Sequence, residues 1–302
     1  MEKRYYTFGR FLKEHFGEQV RKIPLDAGFG CPNRDGTTGT GGCVFCLNRA
    51  FSPFVEQSLS ISEQIRRFKA SNRRGGRYLA YFQAYTNTYA PVERLARLYG
   101  EVLADPEVVG LCVATRPDCV PEGVLDLLES YTERFMVWVE YGLQSSHGKT
   151  LKLIKRGHDV GSFANAVERT KGRGIYIGAH VILGLPGESR EEMLQTARFL
   201  NTVRVDGVKL HHLQIFTGTP LEADYARGEV SALGLGEYVS LACDFIESLA
   251  PEIIIMRLAA EADDALLVAP RWDASKTEVV NAVDRELQRR DTRQGSGILV
   301  PG

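Results

Sequence analysis

The sequence lacks the two features that would place the chain in a membrane or send it out of the cell. Its first residues are charged and aromatic, unlike a leader with an apolar centre. Its apolar runs all fall short of the about 20 residues that a membrane-spanning helix needs. We therefore expect a protein of the cytoplasm that has no membrane partner.

The sequence also lacks an excess of charge and has few cysteines. Lys and Arg total 37 against 38 Asp and Glu, which argues against a strongly basic nucleic-acid clamp but not against a local basic patch. Six cysteines in 302 residues are too few for a disulfide scaffold. Three of them crowd into residues 31–46. In a chain without an export signal, such crowding indicates metal binding or redox chemistry.

Short apolar runs alternate with longer amphipathic stretches. The predicted strands are residues 22–27, 78–83, 108–114, 135–141, 175–183 and 206–213. A helical pattern follows each of them, at residues 61–70, 92–104, 121–131, 163–174, 190–200 and 236–250. Repeated strand–helix units imply parallel pairing with right-handed crossovers. The pattern predicts an α/β fold, a partial and open (β/α)6 barrel with fewer units than a closed barrel.

This barrel core is predicted to span residues 21–250, with an extension at each end. The N-terminal extension, residues 1–20, is expected to pack beside the core. The C-terminal extension, residues 251–302, contains a further strand-like run at 252–259 and an amphipathic helix at 275–290. Its last residues, from 291 onward, are expected to be loose.

The three clustered cysteines are Cys31, Cys43 and Cys46, separated by eleven and by two residues. The loop between them is rich in Gly, Thr, Asn and Asp, so its backbone can wrap closely around a compact inorganic group. Three thiolates on a four-iron cluster leave one iron open for chemistry. From spacing alone, a zinc site is an equal alternative, although a closed one takes four ligands. The position directly after the first strand favours iron–sulfur, because chemistry in such barrels occurs at the carboxyl ends of strands.

Polar residues follow the ends of the other strands and should meet the cysteine loop at one mouth. They include residues 83–88, 115–118, Glu140, Gln144, Lys209 and His211. Glu140 also fits a paired core carboxylate, and residues 184–187, which follow the fifth predicted strand, also fit a turn that starts a helix. The roles of Cys119, Lys209 and His211 remain open.

Several ordered motifs resemble the radical S-adenosylmethionine (SAM) superfamily. They are residues 114–118 (ATRPD), 140–145 (EYGLQS), 155–158 (KRGH) and 178–188 (GAHVILGLPGE). They are most similar to the branch that contains the catalytic subunit of Elongator and its bacterial relatives. The resemblance spans about residues 5–295. The eleven-residue gap between the first two cysteines departs from the commonest spacing of the superfamily.

The resemblance implies a set of roles for individual residues. Cys31, Cys43 and Cys46 would bind a [4Fe–4S] cluster whose fourth iron holds SAM, and reductive cleavage of SAM would yield a radical that abstracts hydrogen from the substrate. Phe45 would contact the adenine through its backbone. The SAM amino group would be held by Gln83, Tyr85, Thr86 and Asn87. The ribose and carboxylate would be positioned by Glu140, Gln144 and Arg156, and the adenine would rest on Ile182, Gly184 and Gly187.

The resemblance further implies a substrate and partners. The expected substrate is tRNA, modified on the side chain at carbon 5 of a wobble uridine, and the expected reductant is a flavodoxin or ferredoxin. Two basic clusters offer phosphate contacts, although a solvated helix face explains them as well: residues 66–77 with six Lys or Arg, and Arg285, Arg289, Arg290 and Arg293. The alternatives are a radical SAM enzyme for a small metabolite and a zinc-stabilised binding protein without catalysis.

Overall fold

The structure is a computed structural model that describes residues 3–51, 59–72 and 75–298. In chain order its elements are α1 (Phe8–Phe16), β1 (Val20–Leu25), α2 (Asn48–Phe51), α3 (Ile61–Ser71), β2 (Arg77–Phe82), α4 (Val92–Leu103), β3 (Val108–Thr115), a 3-10 turn (Pro117–Cys119), α5 (Glu122–Glu129), β4 (Met136–Gln144), α6 (Gly148–Leu153), α7 (Val160–Thr170), β5 (Tyr176–Leu183), α8 (Arg190–Val203), β6 (Gly207–His212), β7 (Ile215–Phe216), α9 (Pro220–Ala226), α10 (Leu235–Glu247), β8 (Ile254–Arg257), β9 (Leu267–Ala269) and α11 (Lys276–Arg290).

Seven parallel strands form the main sheet, in the order β1-β2-β3-β4-β5-β6-β8. The predicted partial barrel is confirmed, and every predicted strand and helix has an observed counterpart. Strands β2, β3 and β4 are buried along almost their whole length, which is why they read as continuous apolar runs. The run at 252–259 becomes the seventh strand, β8, which pairs with β6.

An outer layer of helices covers the sheet and forms the larger core. Helix α4 is typical, because its buried residues Leu95, Tyr99 and Val102 recur at helical spacing and face the strands. No helix within residues 3–51, 59–72 and 75–298 has the length and apolar character needed to cross a membrane. The helical layer leaves the carboxyl ends of the strands free to build a site.

The inside of the barrel has an apolar base that the N-terminal helix completes. Phe8 and Phe11 of α1 meet the ring of Trp138 edge-on, at centroid distances of 5.4 and 5.7 Å. Tyr176, the first residue of β5, stacks on Trp138 at 4.9 Å and also meets Phe11 edge-on. Helix α1 therefore contacts residues near the amino ends of the strands and closes the end of the barrel opposite the predicted mouth.

The C-terminal residues are more ordered than the sequence suggested. The expectation that residues from 291 onward are loose is wrong for 291–298, and 299–302 lie outside the described residues. Gln294 is buried, accepts a hydrogen bond from the backbone N–H of Tyr6 and donates to the carbonyls of Ala250 and Ile253. One glutamine thus joins both ends of the chain. The predicted domain limits at residues 20 and 250 stay a prediction.

Candidate functional site

The cysteine loop follows β1 and is organised around Asn33. This residue is buried, and its side-chain N–H group donates to the carbonyl of Lys155 at 2.8 Å and to the sulfur of Cys43 at 3.5 Å. A Cβ on Gly39 or Gly157 would stand 2.5 or 2.7 Å from the Asn33 side-chain oxygen. These glycines therefore allow the loop and the segment after α6 to close on the asparagine.

The three thiols of the loop line one pocket at the carboxyl ends of the strands. Cys43 is buried, whereas Cys31 and Cys46 are half-buried. Burial raises the pKa of the Cys46 thiol, and the neighbouring Cys43 and Cys31 raise it further. The sulfurs have polar donors as neighbours: Asn33 and Arg156 at 3.5 Å from Cys43, and Asn48 at 3.6 Å from Cys46. Such donors favour a charged sulfur ligand over a neutral thiol.

Arg156 connects the thiols to the strand ends. Its Nε and Nη2 donate to the carbonyl of Gly142 at 3.2 and 2.8 Å, while Nη1 lies 3.5 Å from the Cys43 sulfur. Its own carbonyl accepts from Arg116 at 2.8 Å, and Arg116 is held by a two-pronged contact to Asp118 at 2.9 and 2.7 Å. The motifs at 114–118 and 155–158 thus form one connected support behind Cys43.

Most of the predicted cofactor contacts line the same pocket. Besides the cysteines, these are Phe45, Gln83, Tyr85, Thr86, Gln144, Arg156 and Ile182. The side-chain oxygen of Thr86 is buried and has no hydrogen-bond partner among the described residues. Because a buried hydroxyl without a partner is unfavourable, Thr86 is a candidate for contact with a bound polar group.

Four predicted contacts do not line the pocket. Asn87 instead ties β2 to β3, because its N–H group donates to the carbonyls of Phe82 and Ala114 at 3.1 and 2.8 Å. Gly184 and Gly187 have φ angles of 86° and 73°, typical of the turn that the sequence left as an alternative. A Cβ on Gly184 would contact Leu233, not the pocket, at 2.9 Å.

The fourth, Glu140, is a fully buried carboxylate beneath the pocket. It accepts from Lys22 at 2.8 Å, from His180 at 2.7 Å and from Lys209. Burial raises the pKa of Glu140, but Lys209 and Lys22 outweigh that effect and hold its pKa well below the ordinary value. Burial also lowers the pKa of Lys209, to about 7, against the attraction of Glu140. The geometry thus favours the alternative interpretation, a paired core carboxylate.

Other residues of the site were not assigned an individual role from sequence, although Arg116 and His211 were expected at the mouth. Asn33 supports the loop from outside the pocket wall. The wall includes Arg34, Asn48, Tyr81, Arg116, His180, His211, His212, Gln214 and Arg257. Asn33 and Arg34 sit inside the cysteine loop, so their position in the CPNRDG segment was a usable signal. Arg257 had no such signal, because it ends a strand-like run in the C-terminal extension.

The donor set fits a cluster of the iron–sulfur type. Three thiols, the ligands that such clusters prefer, surround one pocket and have hydrogen-bond donors beside their sulfurs. Within the described residues, no three His, Cys, Asp or Glu side chains are grouped as ligands of a single metal ion. An unpartnered hydroxyl at Thr86 and polar side chains at Gln83 and Gln144 complete a wall suited to a polar cofactor.

Comparison with known proteins gives consistent results. The family model described as the Radical SAM superfamily matches residues 28–200, and that of the Radical_SAM C-terminal domain matches residues 205–289. The uncharacterized protein YtqA of Bacillus subtilis is 41% identical over 298 residues, which cover 97% of this chain and 92% of that protein.

Two more distant similarities involve proteins whose names refer to tRNA or to Elp3. The tRNA uridine(34) acetyltransferase of Dehalococcoides mccartyi is 28% identical over 190 residues, 62% of this chain and 40% of that protein. The solved structure of Methanocaldococcus infernus Elp3, with an N-terminal deletion, aligns with a TM-score of 0.67 at 17% identity, over 91% of this chain and 64% of that one. The structural match supports the fold, a half-barrel.

Proposed function

This chain belongs to the radical SAM superfamily, and from that premise we propose that it modifies tRNA, at the side chain on carbon 5 of a wobble uridine. Members of the superfamily are enzymes that use a [4Fe–4S] cluster and SAM, so the zinc-stabilised binding protein without catalysis is set aside. The observation that carries the chemistry is the grouping of Cys31, Cys43 and Cys46 on one pocket at the strand ends.

Cys31, Cys43 and Cys46 would hold three irons of the cluster, which leaves the fourth for SAM. When bound and reduced by a flavodoxin or ferredoxin, these cofactors supply reductive cleavage of SAM and abstraction of hydrogen from the substrate. Arg156 would stabilise negative charge on the Cys43 sulfur and orient the SAM carboxylate, because hydrogen bonds to the Gly142 carbonyl fix the position of its guanidinium.

The remaining wall residues would bind SAM by polar and apolar contacts. Gln83, Tyr85 and Thr86 would hold the amino group, Gln144 the ribose, and Ile182 with Phe45 the adenine. Beneath them, the ion pairs of Glu140 and the apolar base close the barrel from below. A site closed on that side excludes water, which protects a reactive intermediate from side reactions.

Support for tRNA comes from sequence similarity rather than from the basic clusters. Arg66 and Arg67 pair with Glu63, and Lys69 pairs with Asp105 and Glu107. Arg73 and Arg74 lie outside the described residues. Of the second cluster, Arg289 and Arg290 both pair with Glu286. Because carboxylates pair with these side chains, the likeness to the tRNA uridine(34) acetyltransferase carries the proposal.

The test is a comparison of tRNA nucleosides by mass spectrometry. Cells that lack the gene, and the same cells that carry the wild-type gene or a Cys43→Ala gene, supply the tRNA. We expect one wobble uridine derivative to accumulate without the gene, to disappear with the wild-type gene and to persist with the variant. Identical nucleosides in all three strains would refute the tRNA assignment and leave the radical SAM chemistry in place.

A small-metabolite substrate is the second candidate, and the pairing of the basic side chains with carboxylates favours it. Filter binding of bulk tRNA to the reconstituted protein at two salt concentrations separates the candidates. A tRNA enzyme should bind with an affinity that falls steeply as salt rises, because phosphate contacts release counterions. Undetectable binding at both concentrations would favour the small metabolite.

A further inference from the structure

The pocket above the Glu140 ion pairs has an unbalanced charge. Among the described residues that line it are four arginines, Arg34, Arg116, Arg156 and Arg257, and no aspartate or glutamate. Buried or half-buried cations need an anion or a set of acceptors nearby, because removal from water is unfavourable for them. The partners of each arginine therefore show which of them lacks such a group among the described residues.

Three of the four arginines have such partners within the protein. Arg34 donates to the carbonyl of Cys46 at 2.7 Å. Arg116 pairs with Asp118 and also donates to a backbone carbonyl, and Arg156 donates to the carbonyl of Gly142. These three belong to the support of the cysteine loop.

Arg257 differs from them. In the described part of the chain its contact is the ring of His211, with Nη2 lying 2.7 Å from Nδ1, and its Nε is buried without a hydrogen-bond partner. Burial lowers the pKa of His211 well below its ordinary value, so the ring is neutral and does not balance the charge. The carboxylate of Glu261 is exposed to solvent and forms an ion pair with Lys276 at 3.3 Å, rather than a hydrogen bond with Arg257.

The residues beneath Arg257 add positive charge. Glu140 is one carboxylate shared by two lysines, Lys22 and Lys209. Tyr81 lies beside Lys209, with its hydroxyl 2.7 Å from the amine, and burial raises the pKa of Tyr81, so it carries no negative charge at neutral pH. With Arg257 itself, the interior of the barrel thus holds more cationic than anionic groups even when Lys209, whose pKa is about 7, is neutral, and the surplus faces the pocket at Arg257.

We propose that Arg257, with His211 beside it, binds a carboxylate group of the substrate. The proposal rests on the proposed function and adds that the side chain acted upon ends in a carboxylate. A guanidinium has a planar fork that matches two carboxylate oxygens. One guanidinium with an unpartnered Nε and a small charge surplus fit a carboxylate better than a phosphate dianion. In the proposed function the SAM carboxylate is assigned to another arginine, Arg156, which lies beside the Cys43 sulfur.

A second cavity gives this site an approach for the substrate. His212 and Gln214 line both the cysteine pocket and a cavity bordered by residues of the C-terminal extension, among them Trp272 and Lys276. His212 packs against the ring of Trp272 at a centroid distance of 4.2 Å. The C-terminal extension thus borders the side of the pocket that holds Arg257.

The test measures binding of three small probes to the anaerobically reconstituted protein with SAM present. Acetate and its neutral analogue acetamide are titrated by saturation-transfer NMR, and inorganic phosphate by ³¹P line width, at constant ionic strength. We expect acetate to bind more tightly than acetamide and phosphate. Arg257→Gln should weaken acetate binding by roughly tenfold or more, the loss expected for one charge-assisted contact. Arg257→Lys should lose less, since it keeps the charge.

Controls separate this result from damage to the rest of the site. Arg97→Gln, on the exposed side of α4, should bind acetate like the wild type. Arg257→Gln should retain iron, sulfide and SAM binding by equilibrium dialysis, and its thermal midpoint should not fall, because the change removes an uncompensated charge. Tighter binding of phosphate than acetate, unchanged acetate binding by Arg257→Gln, or loss of SAM binding in that variant would each overturn the inference.

The outcome is independent of the tRNA assignment. Acetate binding that depends on Arg257, together with unchanged tRNA nucleosides, would support a carboxylate substrate that is a small metabolite. If loss of the gene changes the tRNA nucleosides but Arg257→Gln binds acetate like the wild type, the tRNA assignment stands and the carboxylate site is rejected.

Discussion

Replacement of Gly142 by alanine tests whether the strand end positions Arg156 beside the cysteines. A Cβ on Gly142 would stand 2.4 Å from Nη2 of Arg156 and 2.9 Å from the side-chain nitrogen of Gln144. Both distances are too short for real contacts, so the guanidinium must move. It would then lose its hydrogen bonds to the Gly142 carbonyl and its approach to the Cys43 sulfur.

The expected loss of stability can be worked out from these contacts. Extra volume in a packed site costs about 1–3 kcal/mol, and a lost hydrogen bond from a charged donor costs about 1.5–3 kcal/mol. Because the two hydrogen bonds of Arg156 share one acceptor, we count them once. Gly142→Ala should therefore lower the free energy of unfolding by about 2.5–6 kcal/mol and weaken the binding of SAM.

The assay is urea unfolding of the protein without cluster, followed by iron, sulfide and SAM-binding measurements after reconstitution. Gly148→Ala is the matched control, because a Cβ on Gly148 at the start of α6 would meet no atom within 4 Å. That variant should stay within about 0.5 kcal/mol of the wild type. Unfolding and SAM binding of Gly142→Ala at wild-type levels would refute the positioning role assigned to this strand end.

Three further changes probe the pocket and its support. Glu140→Gln leaves two buried lysines without a carboxylate and should cost about 3–5 kcal/mol of unfolding free energy in urea. Because the pKa of Glu140 in the folded protein is depressed, its contribution to the free energy of unfolding is complete above the unfolded pKa of 4.5 and is lost as pH falls through the lower folded pKa. Below pH 4.5 the wild type should therefore lose stability more steeply than Glu140→Gln. Parallel curves of unfolding free energy against pH would contradict this. Asn33→Ala removes a donor to the Cys43 sulfur and should release iron to a chelator faster than the wild type, with a stability loss of about 1–3 kcal/mol; an unchanged release rate would argue against this support. Burial raises the pKa of the Cys119 thiol to about 12, so the thiol stays protonated and is a poor ligand for iron. Cys119→Ala should therefore keep the wild-type iron content, whereas Cys46→Ala should lose iron. A drop in iron content for Cys119→Ala would show that Cys119 is a ligand.

The barrel was predictable from sequence because buried parallel strands have a simple signature. Strands β2 to β5 read as apolar runs, and their ends carry the polar residues that meet at the mouth. The same rule brought Gln83, Gln144 and the cysteines to one pocket. Local sequence was sufficient there, since the carboxyl end of a parallel strand always faces the same edge of the sheet.

Partnerships between distant strands were not predictable in this way. Glu140 contacts Lys22 and Lys209, which are 118 and 69 residues away in sequence. Whether it faces the cofactor or these lysines depends on the register of strands at both ends of the sheet. Arg257 depends on a register shift between β6 and β8 that brings it opposite Lys209. No local pattern records such a shift.

The buried charges of Lys22, Glu140 and Lys209 lead to a final prediction. Apolar residues of similar volume are often at least as stabilising as a buried ion cluster, so stability alone does not account for these three. The cluster also leaves one surplus positive charge beside Arg257 when Lys209, whose pKa is about 7, is protonated. The triple variant Lys22→Met, Glu140→Leu, Lys209→Met removes that surplus while it preserves bulk.

We expect the triple variant to unfold in urea with a free energy equal to or above that of the wild type, because no charge is left unpaired in place of the cluster. Acetate binding at Arg257, measured near pH 6 where Lys209 is protonated, should nevertheless weaken, by roughly threefold or more, because one net positive charge is gone from a low-dielectric interior. The single variant Glu140→Gln serves as the contrast, since it keeps both lysines and should not weaken acetate binding. If the triple variant binds acetate with wild-type affinity, the charges of Lys22, Glu140 and Lys209 do not contribute to substrate binding and are only part of the barrel interior.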